Sequence, residues 1–263
     1  MKSFRRVTLV LLAAATLATP ARQAAAAPEV HRLNLALSGN PTQLQAGDLN
    51  DFIDDYNSTK LASRGLAGID LISYSWLYQA EMRYFVRPNI AVSAGFGQIR
   101  SKSRREFLPR ISQSIVVRAE VVAVPLHVGA AYYLQPYTQG DFQARAYLGG
   151  GFVSVTQGKV LFEQFEFATD SATTLGGSVR FKGRGDAPGY YLEVGGHMWF
   201  ASRYSVMLGG FYRSAVVRNL RIAQDIVDPE TNLTVGEVQV EAEDTLDLDV
   251  GGLGVRMAVG IGF

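Results

Sequence analysis

Residues 252–263 read Gly-Leu-Gly-Val-Arg-Met-Ala-Val-Gly-Ile-Gly-Phe, and their alternation decides the fold. Leu253, Val255, Met257, Val259, Ile261 and Phe263 share one face of an extended chain. Gly252, Gly254, Arg256, Ala258, Gly260 and Gly262 share the other. One face is wholly apolar; the other holds small residues and a charge. A soluble sheet would bury the first and wet the second. A polar face this rich in glycine suits a narrow lumen instead, which leaves the apolar face for lipid.

The same period of two recurs toward the N-terminus. Tyr190, Leu192, Val194, Met198 and Phe200 oppose Tyr191, Glu193, Gly195, His197 and Trp199. Phe142, Ala144, Ala146, Leu148 and Phe152 oppose Gln143, Arg145, Tyr147, Gly149 and Gly151. Tyr78, Ala80, Met82, Tyr84 and Val86 oppose Gln79, Glu81, Arg83 and Phe85. Eight strands are predicted, near 32–38, 74–86, 89–100, 113–134, 141–156, 189–201, 203–222 and 245–263. Short links at 87–89, 135–140 and 201–202 alternate with long ones at 39–73, 101–112, 157–188 and 223–244. That alternation is the topology of an up-and-down membrane barrel, with short periplasmic turns, long external loops and both termini periplasmic. One helix is predicted in the first long loop, where Leu49, Phe52, Ile53 and Tyr56 follow helical spacing and Asp48 is the N-cap candidate.

Composition narrows the class. The 263 residues are 48% hydrophobic and 19% charged, which excludes a disordered chain. With 25 basic against 24 acidic residues, the chain lacks the excess of positive charge typical of a nucleic-acid binder. No cysteine is present, so disulfides, thiolate metal sites and cysteine nucleophiles are excluded. Lys2, Arg5 and Arg6 precede the apolar run from Val7 to Thr19, and Ala24 to Ala27 supply small residues for cleavage. This is the order of a secretory signal. Cleavage is expected after Ala26, leaving one barrel domain over 27–263. It removes four basic residues and turns the charge balance slightly acidic.

The signal, the eight alternating strands and the terminal Gly-Val-Arg-Met-Ala-Val-Gly-Ile-Gly-Phe resemble small outer-membrane β-barrels of the OmpA, OmpX and OmpW type. The resemblance implies an all-β, eight-stranded antiparallel transmembrane barrel in a Gram-negative outer membrane. It also implies that the last strand, through Val255, Met257, Val259, Ile261 and Phe263, is read by the barrel-assembly machinery. That group favours an aromatic third from the end, and Ile261 departs from it. A soluble ligand barrel of the lipocalin type is the competing architecture.

Glu81, Arg83, Arg118, Glu120, Arg145, Glu193, Arg213 and Arg256 are predicted to face the lumen, five basic and three acidic. An eight-stranded interior is just wide enough for side chains, so these charges are expected to pair and plug it, with a gated or narrow polar conduit as the alternative. By this reading Met257→Arg on the lipid face should impair assembly more than Arg256→Met in the lumen. No metal or cofactor is expected. Barrels resembling lipid A deacylases or acyltransferases need a catalytic cluster near the outer leaflet. His127 and His197 fall instead in the half nearest the short turns, and His31 precedes the first strand.

Two loops carry basic runs. Arg100, Lys102, Arg104 and Arg105 open the second long loop, and Arg180, Lys182 and Arg184 lie in the third. They are candidate contacts for lipopolysaccharide phosphates, or a solvated rim. The fourth loop is acidic, from Asp225 through Asp228, Glu230, Glu237, Glu241, Glu243 and Asp244 to Asp247 and Asp249, with a spacing that fits no calcium loop. The functional expectation is a non-enzymatic envelope barrel acting through its loops. The alternative is a narrow conduit or OmpW-like barrel that holds a small apolar compound and releases it sideways into the bilayer. An open apolar funnel at the external mouth would favour the second, and a mouth closed by loop side chains the first.

Overall fold

Alternation of period two places every second side chain on one face of a strand. In the computed structural model that face closes on itself. The structure describes residues 31–110, 113–168, 179–201, 203–227, 234–239 and 246–263. The predicted export signal, 1–26, lies outside them, as do Asp228, Glu230, Glu241, Glu243 and Asp244.

The strands are β1 (Leu33–Gln43), β2 (Tyr74–Arg87), β3 (Ile90–Arg110), β4 (Gln113–Tyr133), the short β5 (Tyr137–Gln139), β6 (Phe142–Ala168), β7 (Val179–Phe200), β8 (Tyr204–Val227), β9 (Thr234–Gln239), β10 (Leu246–Asp249) and β11 (Gly252–Gly262). Eight of them close an antiparallel barrel: β1 pairs with β2, β2 with β3, β3 with β4, β4 with β6, β6 with β7, β7 with β8, β8 with β11, and β11 with β1. The last pairing holds the termini together at the end where the short turns lie, with Asn34 opposite Gly262. We call this the turn end and the opposite one the loop end.

On the outer face near the turn end, Leu37, Val128, Leu148, Phe152, Leu192, Val194, Leu253 and Val259 are 56–75% exposed. So many large apolar groups in one continuous band belong against hydrocarbon. A spanning strand needs about 9–11 residues. β1 and β11 have 11 each, whereas β3, β4, β6, β7 and β8 have 21 to 27. These five continue past the apolar band as a wall. Much of the expected loops at 101–112, 157–188 and 223–244 is therefore strand. The expected last strand, 245–263, is broken at Val250 and Gly251 into β10 and β11.

Polarity reverses along the wall. Phe107, Ile115, Val117, Ala119, Val121, Val160, Phe162, Val217 and Leu220 point inward and are buried, while charged side chains cover the outside. A barrel standing in water must bury its apolar face, and one in lipid must expose it. The change of solvent sets the change of pattern.

The space inside the wall is filled by residues 44–72. α1 (Asp48–Tyr56) continues through a wide turn at Asn57–Leu61 and a 3-10 turn at Ala62–Arg64 that ends on left-handed Gly65. Leu49, Ile53 and Tyr56 are buried and Phe52 packs beside them. Asp48 is not the cap. That place belongs to Gly47 at φ 51°, ψ −134°, pressed so closely on the Asp247 carbonyl that a side chain could not fit. Asp48 instead starts the helix and accepts a hydrogen bond from Asp247 N at 2.8 Å. Asn50 and Asn57 each clamp a later residue, Ile72 and Ile69 respectively, by paired hydrogen bonds of 2.9–3.0 Å to its backbone N–H and carbonyl. The segment is thus a preformed stopper.

Candidate functional site

One strand samples the whole interior. Along β2 the inward side chains run Leu77, Gln79, Glu81, Arg83 and Phe85: apolar, polar, acidic, basic, aromatic. Each belongs to a different layer.

The apolar layer lies at the loop end. Leu77 joins a buried cluster with Leu44, Leu49, Ile53, Leu61, Ile69 and Ile72 of the stopper and with the inner face of the wall. Phe162 receives Phe52 at 4.9 Å and Tyr56 at 5.0 Å between ring centroids, both edge to face, and Tyr56 Oη donates to Gln164 Oε1.

Below it a lattice of charges crosses the lumen. Arg83 reaches Glu81 Oε1 and Glu193 Oε1, both at 2.8 Å. Arg256 reaches Glu81 Oε2 at 2.8 Å and Glu193 Oε2 at 2.5 Å. Each guanidinium therefore bridges both carboxylates, and the four charges cancel. Arg83 also donates to Tyr133 Oη at 2.7 Å, and His127 Nε2 lies 3.1 Å from Glu81 Oε2. The lattice ties β2, β4, β7 and β11 together across the barrel. Gly149 makes room for it, since a Cβ there would come within 2.8 Å of Glu193 Oε1.

The third layer, at the turn end, is aromatic. Phe85, Tyr133, Tyr147 and Trp199 are buried together. His197 stacks on Trp199 at 3.7 Å, and its Nδ1 lies 3.0 Å from Tyr133 Oη. Between the stopper and the lattice remains a cavity of about 40 Å³, bordered by Gln79, His127, Tyr191, Arg213 and Arg256 among others. A water occupies about 10–15 Å³ on this measure, so this space suits water rather than an organic ligand.

Of the eight residues predicted to line the lumen, Glu81, Arg83, Glu193 and Arg256 meet directly. Arg213 is buried near them, and its Nε donates to Val250 O at 2.9 Å. Arg145 sits at the turn end, where it donates to Pro88 O and lies 5.7 Å from the Trp199 ring centroid. Arg118 and Glu120 are a correction. They stand on the outer face of the wall, because the inward positions of β4 are the odd ones: Ile115, Val117, Ala119 and Val121. A polar face points inward in lipid and outward in water, so the facing expected for Arg118 and Glu120 is reversed above the apolar band. His127 and Tyr133 share that odd parity on β4, and His197 has the parity of inward Glu193 and Trp199 on β7, which is the signal that places them inside.

On the outside, Arg118 pairs with Glu120 and, at 3.3 Å, with Glu163; Arg100 pairs with Glu120 at 2.7 Å. Glu163 faces outward because Gln157, at φ 58°, forms a bulge that shifts the parity of β6. Lys102, Arg104, Lys182 and Arg184 share this outer face, and the backbone of Arg180 is paired with that of Glu163. Arg105 does not. It has the parity of inward Val117 and donates to Gly68 O of the stopper at 2.7 Å.

Glu120 yields a pH-dependent prediction. Burial raises its pKa, but hydrogen bonds from Arg118 and Arg100, with their charges, outweigh this and hold it below the usual carboxylate value. A lowered folded-state pKa stabilises fully above the unfolded value, about 4.3, and the contribution is lost as pH falls through the folded one. Glu120→Gln should therefore be less stable at pH 7 by at most about 1 kcal/mol, since Arg100 is solvated. Urea midpoints should begin to converge on the wild type as pH falls under about 4.3 and should meet it only below the folded-state value. A gap that ignores pH would refute the pairing.

No candidate metal cluster occurs among the described residues. Asp247 and Asp249 accept hydrogen bonds from Asn219 N and Gly251 N, at 2.9 and 2.7 Å. His127 stands beside Glu81 within the closed lumen, with Gln79 as a second hydrogen-bond neighbour and the Tyr191 ring packed edge-on against it.

No family model matches the chain, and no curated protein does. Among solved structures it is similar to the outer membrane protein OprG from Pseudomonas aeruginosa, at 12% identity over 90% of this chain and 98% of that one, TM-score 0.44. It is similar to the N-terminal β-barrel domain of Pseudomonas aeruginosa OprF, at 10% identity over 89% and 100%, TM-score 0.37. It is also similar to the outer membrane protease OmpT from Escherichia coli, at 8% identity over 88% and 96%, TM-score 0.28. At such identities the likeness concerns the barrel alone.

Proposed function

We propose that this chain is a non-enzymatic outer-membrane barrel of a bacterial envelope, closed along its lumen and active through its external wall. The observation that carries this reading is the stack of three seals: apolar stopper, charge lattice and aromatic layer. In this orientation the turn end and both termini are periplasmic. Val255, Met257, Val259, Ile261 and Phe263 then present an apolar edge to the assembly machinery, as outward residues of the strand that closes the barrel against β1.

A carrier of small apolar compounds would need an apolar funnel at the external mouth. Leu49, Ile53, Leu61 and Ile72 occupy that place. The test is conductance across a planar bilayer. The purified protein should give no resolved channel steps in molar salt. Regular open steps would overturn the closed reading.

A further inference from the structure

Outside the apolar band, the wall carries three cross-strand rows on one face. The first is Arg100, Val122, Lys159 and Arg184; the second Lys102, Glu120, Leu161 and Lys182; the third Arg104, Arg118 and Glu163. Seven of these eleven positions are basic and two acidic.

Directly opposed side chains of an antiparallel pair have Cβ atoms about 4.5–5.5 Å apart, and like charges so placed repel. Lys159 faces Arg184, and Arg104 faces Arg118. Glu120 and Glu163 are engaged by Arg100 and Arg118. Lys102, Arg104, Lys159 and Arg184 close no ion pair among the described residues, and Asp186, the nearest acid along β7, accepts from Gln157 N at 2.8 Å. The fold thus tolerates a repulsive arrangement that a bound polyanion would relieve.

Height selects the anion. Arg100 is opposite Trp76 in register. Trp76, Tyr74 and Tyr78 are 49%, 69% and 62% exposed at the loop end of the apolar band on β2. Exposed Trp and Tyr mark the level of lipid headgroups, so the basic rows begin there.

We propose that this face binds the phosphate groups of a phosphorylated glycolipid of the outer leaflet, lipid A. Arginine offers a planar fork to phosphate oxygens and lysine a point charge. Rows one strand apart can hold one phosphate between two strands. The proposal rests on the outer-membrane reading, and the two can fail separately. Membrane fractionation tests the location, whereas binding with purified components tests the site.

Full-length protein in zwitterionic detergent is titrated with lipid A carrying both phosphates, with the same lipid stripped of phosphate, and with inorganic phosphate alone. The wild type should prefer the phosphorylated lipid at least tenfold over either. The Lys102→Gln, Arg104→Gln, Lys159→Gln, Arg184→Gln combination should lose that preference while still migrating as a heat-modifiable barrel. Should the fourfold variant not fold, the Lys159→Gln, Arg184→Gln pair should lose at least half of the wild-type preference. Arg87→Gln, at the opposite end, should bind as wild type. Equal binding of both lipids, equal binding of free phosphate, tighter binding of a soluble sulfated polysaccharide, or an unaffected pair variant would each overturn the proposal.

Discussion

Arg256→Met should lower the unfolding free energy by about 3–5 kcal/mol, the usual cost of removing one partner from a buried ion pair. Arg256 is 4% exposed, and its two bridges leave Glu81 and Glu193 sharing only Arg83 once it is gone. Two carboxylates would then face one guanidinium in a site shut off from bulk water. The adjacent Met257→Arg places a cation against lipid, which costs about 2–4 kcal/mol at the bilayer centre and less toward the interfaces. The lumen substitution should therefore be at least as damaging as the lipid-facing one, the reverse of the order that the sequence suggests. The difference comes from the lattice, because an isolated lumen arginine could be lost cheaply and a bridging one cannot. Charge balance gives the control. Arg256→Met combined with Glu193→Gln leaves Arg83 and Glu81 as a neutral pair and should recover most of the loss. Urea unfolding followed by heat-modifiability on gels measures the wild type, Met257→Arg, Arg256→Met, Glu193→Gln and the double variant. Additive losses in the double variant would mean that Arg256 acts by packing rather than by charge.

The barrel was legible because period two needs only the order of residues. Gly252 to Phe263, with Glu81 and Arg83 opposed to Met82 and Tyr84, declares both face and environment without reference to any other strand. Which charges meet was not legible, because Glu193 and Arg256 are 63 residues apart and join only when β7 and β11 enclose the same lumen. Where the environment changes was not legible either. Val117 and Arg118 alternate just as Val255 and Arg256 do, yet the first pair stands in water and the second in lipid, so their facings are opposite. The Gln157 bulge adds a second parity change that no composition signals, and it brings Glu163 to Arg118. The helical stripe was readable, but its destination was not. An apolar stripe on a rim and one driven into a mouth have the same spacing, and only the wall's inward Phe162, Val217 and Leu220 distinguish them.

Ile53→Asp should eject the stopper without unfolding the barrel. Ile53 is fully buried in the apolar layer, so the variant loses about 1.5–3 kcal/mol of side-chain burial and adds a carboxylate with no partner. A nine-residue helix has little stability of its own to hold it in place. Undocking is the cheaper outcome, because releasing the segment's polar contacts with the barrel, such as Asp48 on Asp247 N, Ala46 N on Asp249 O at 3.0 Å, Tyr56 on Gln164 and Gly68 O on Arg105, leaves the eight strand pairings of the barrel in place. The exposed sites at Lys60 and Arg64 lie within wound turns and require local opening before a protease can cut. A loss of about 3 kcal/mol in docking corresponds to roughly a hundredfold faster trypsin cleavage there. Heat-modifiability should persist, since the charge lattice and the aromatic layer make no use of Ile53. Conductance should also remain closed, because those two layers still block the lumen. Unchanged cleavage would show that the stopper does not depend on this contact. Loss of the folded barrel would make the segment a part of its folding rather than a later insertion, and open channel steps would make it the principal seal.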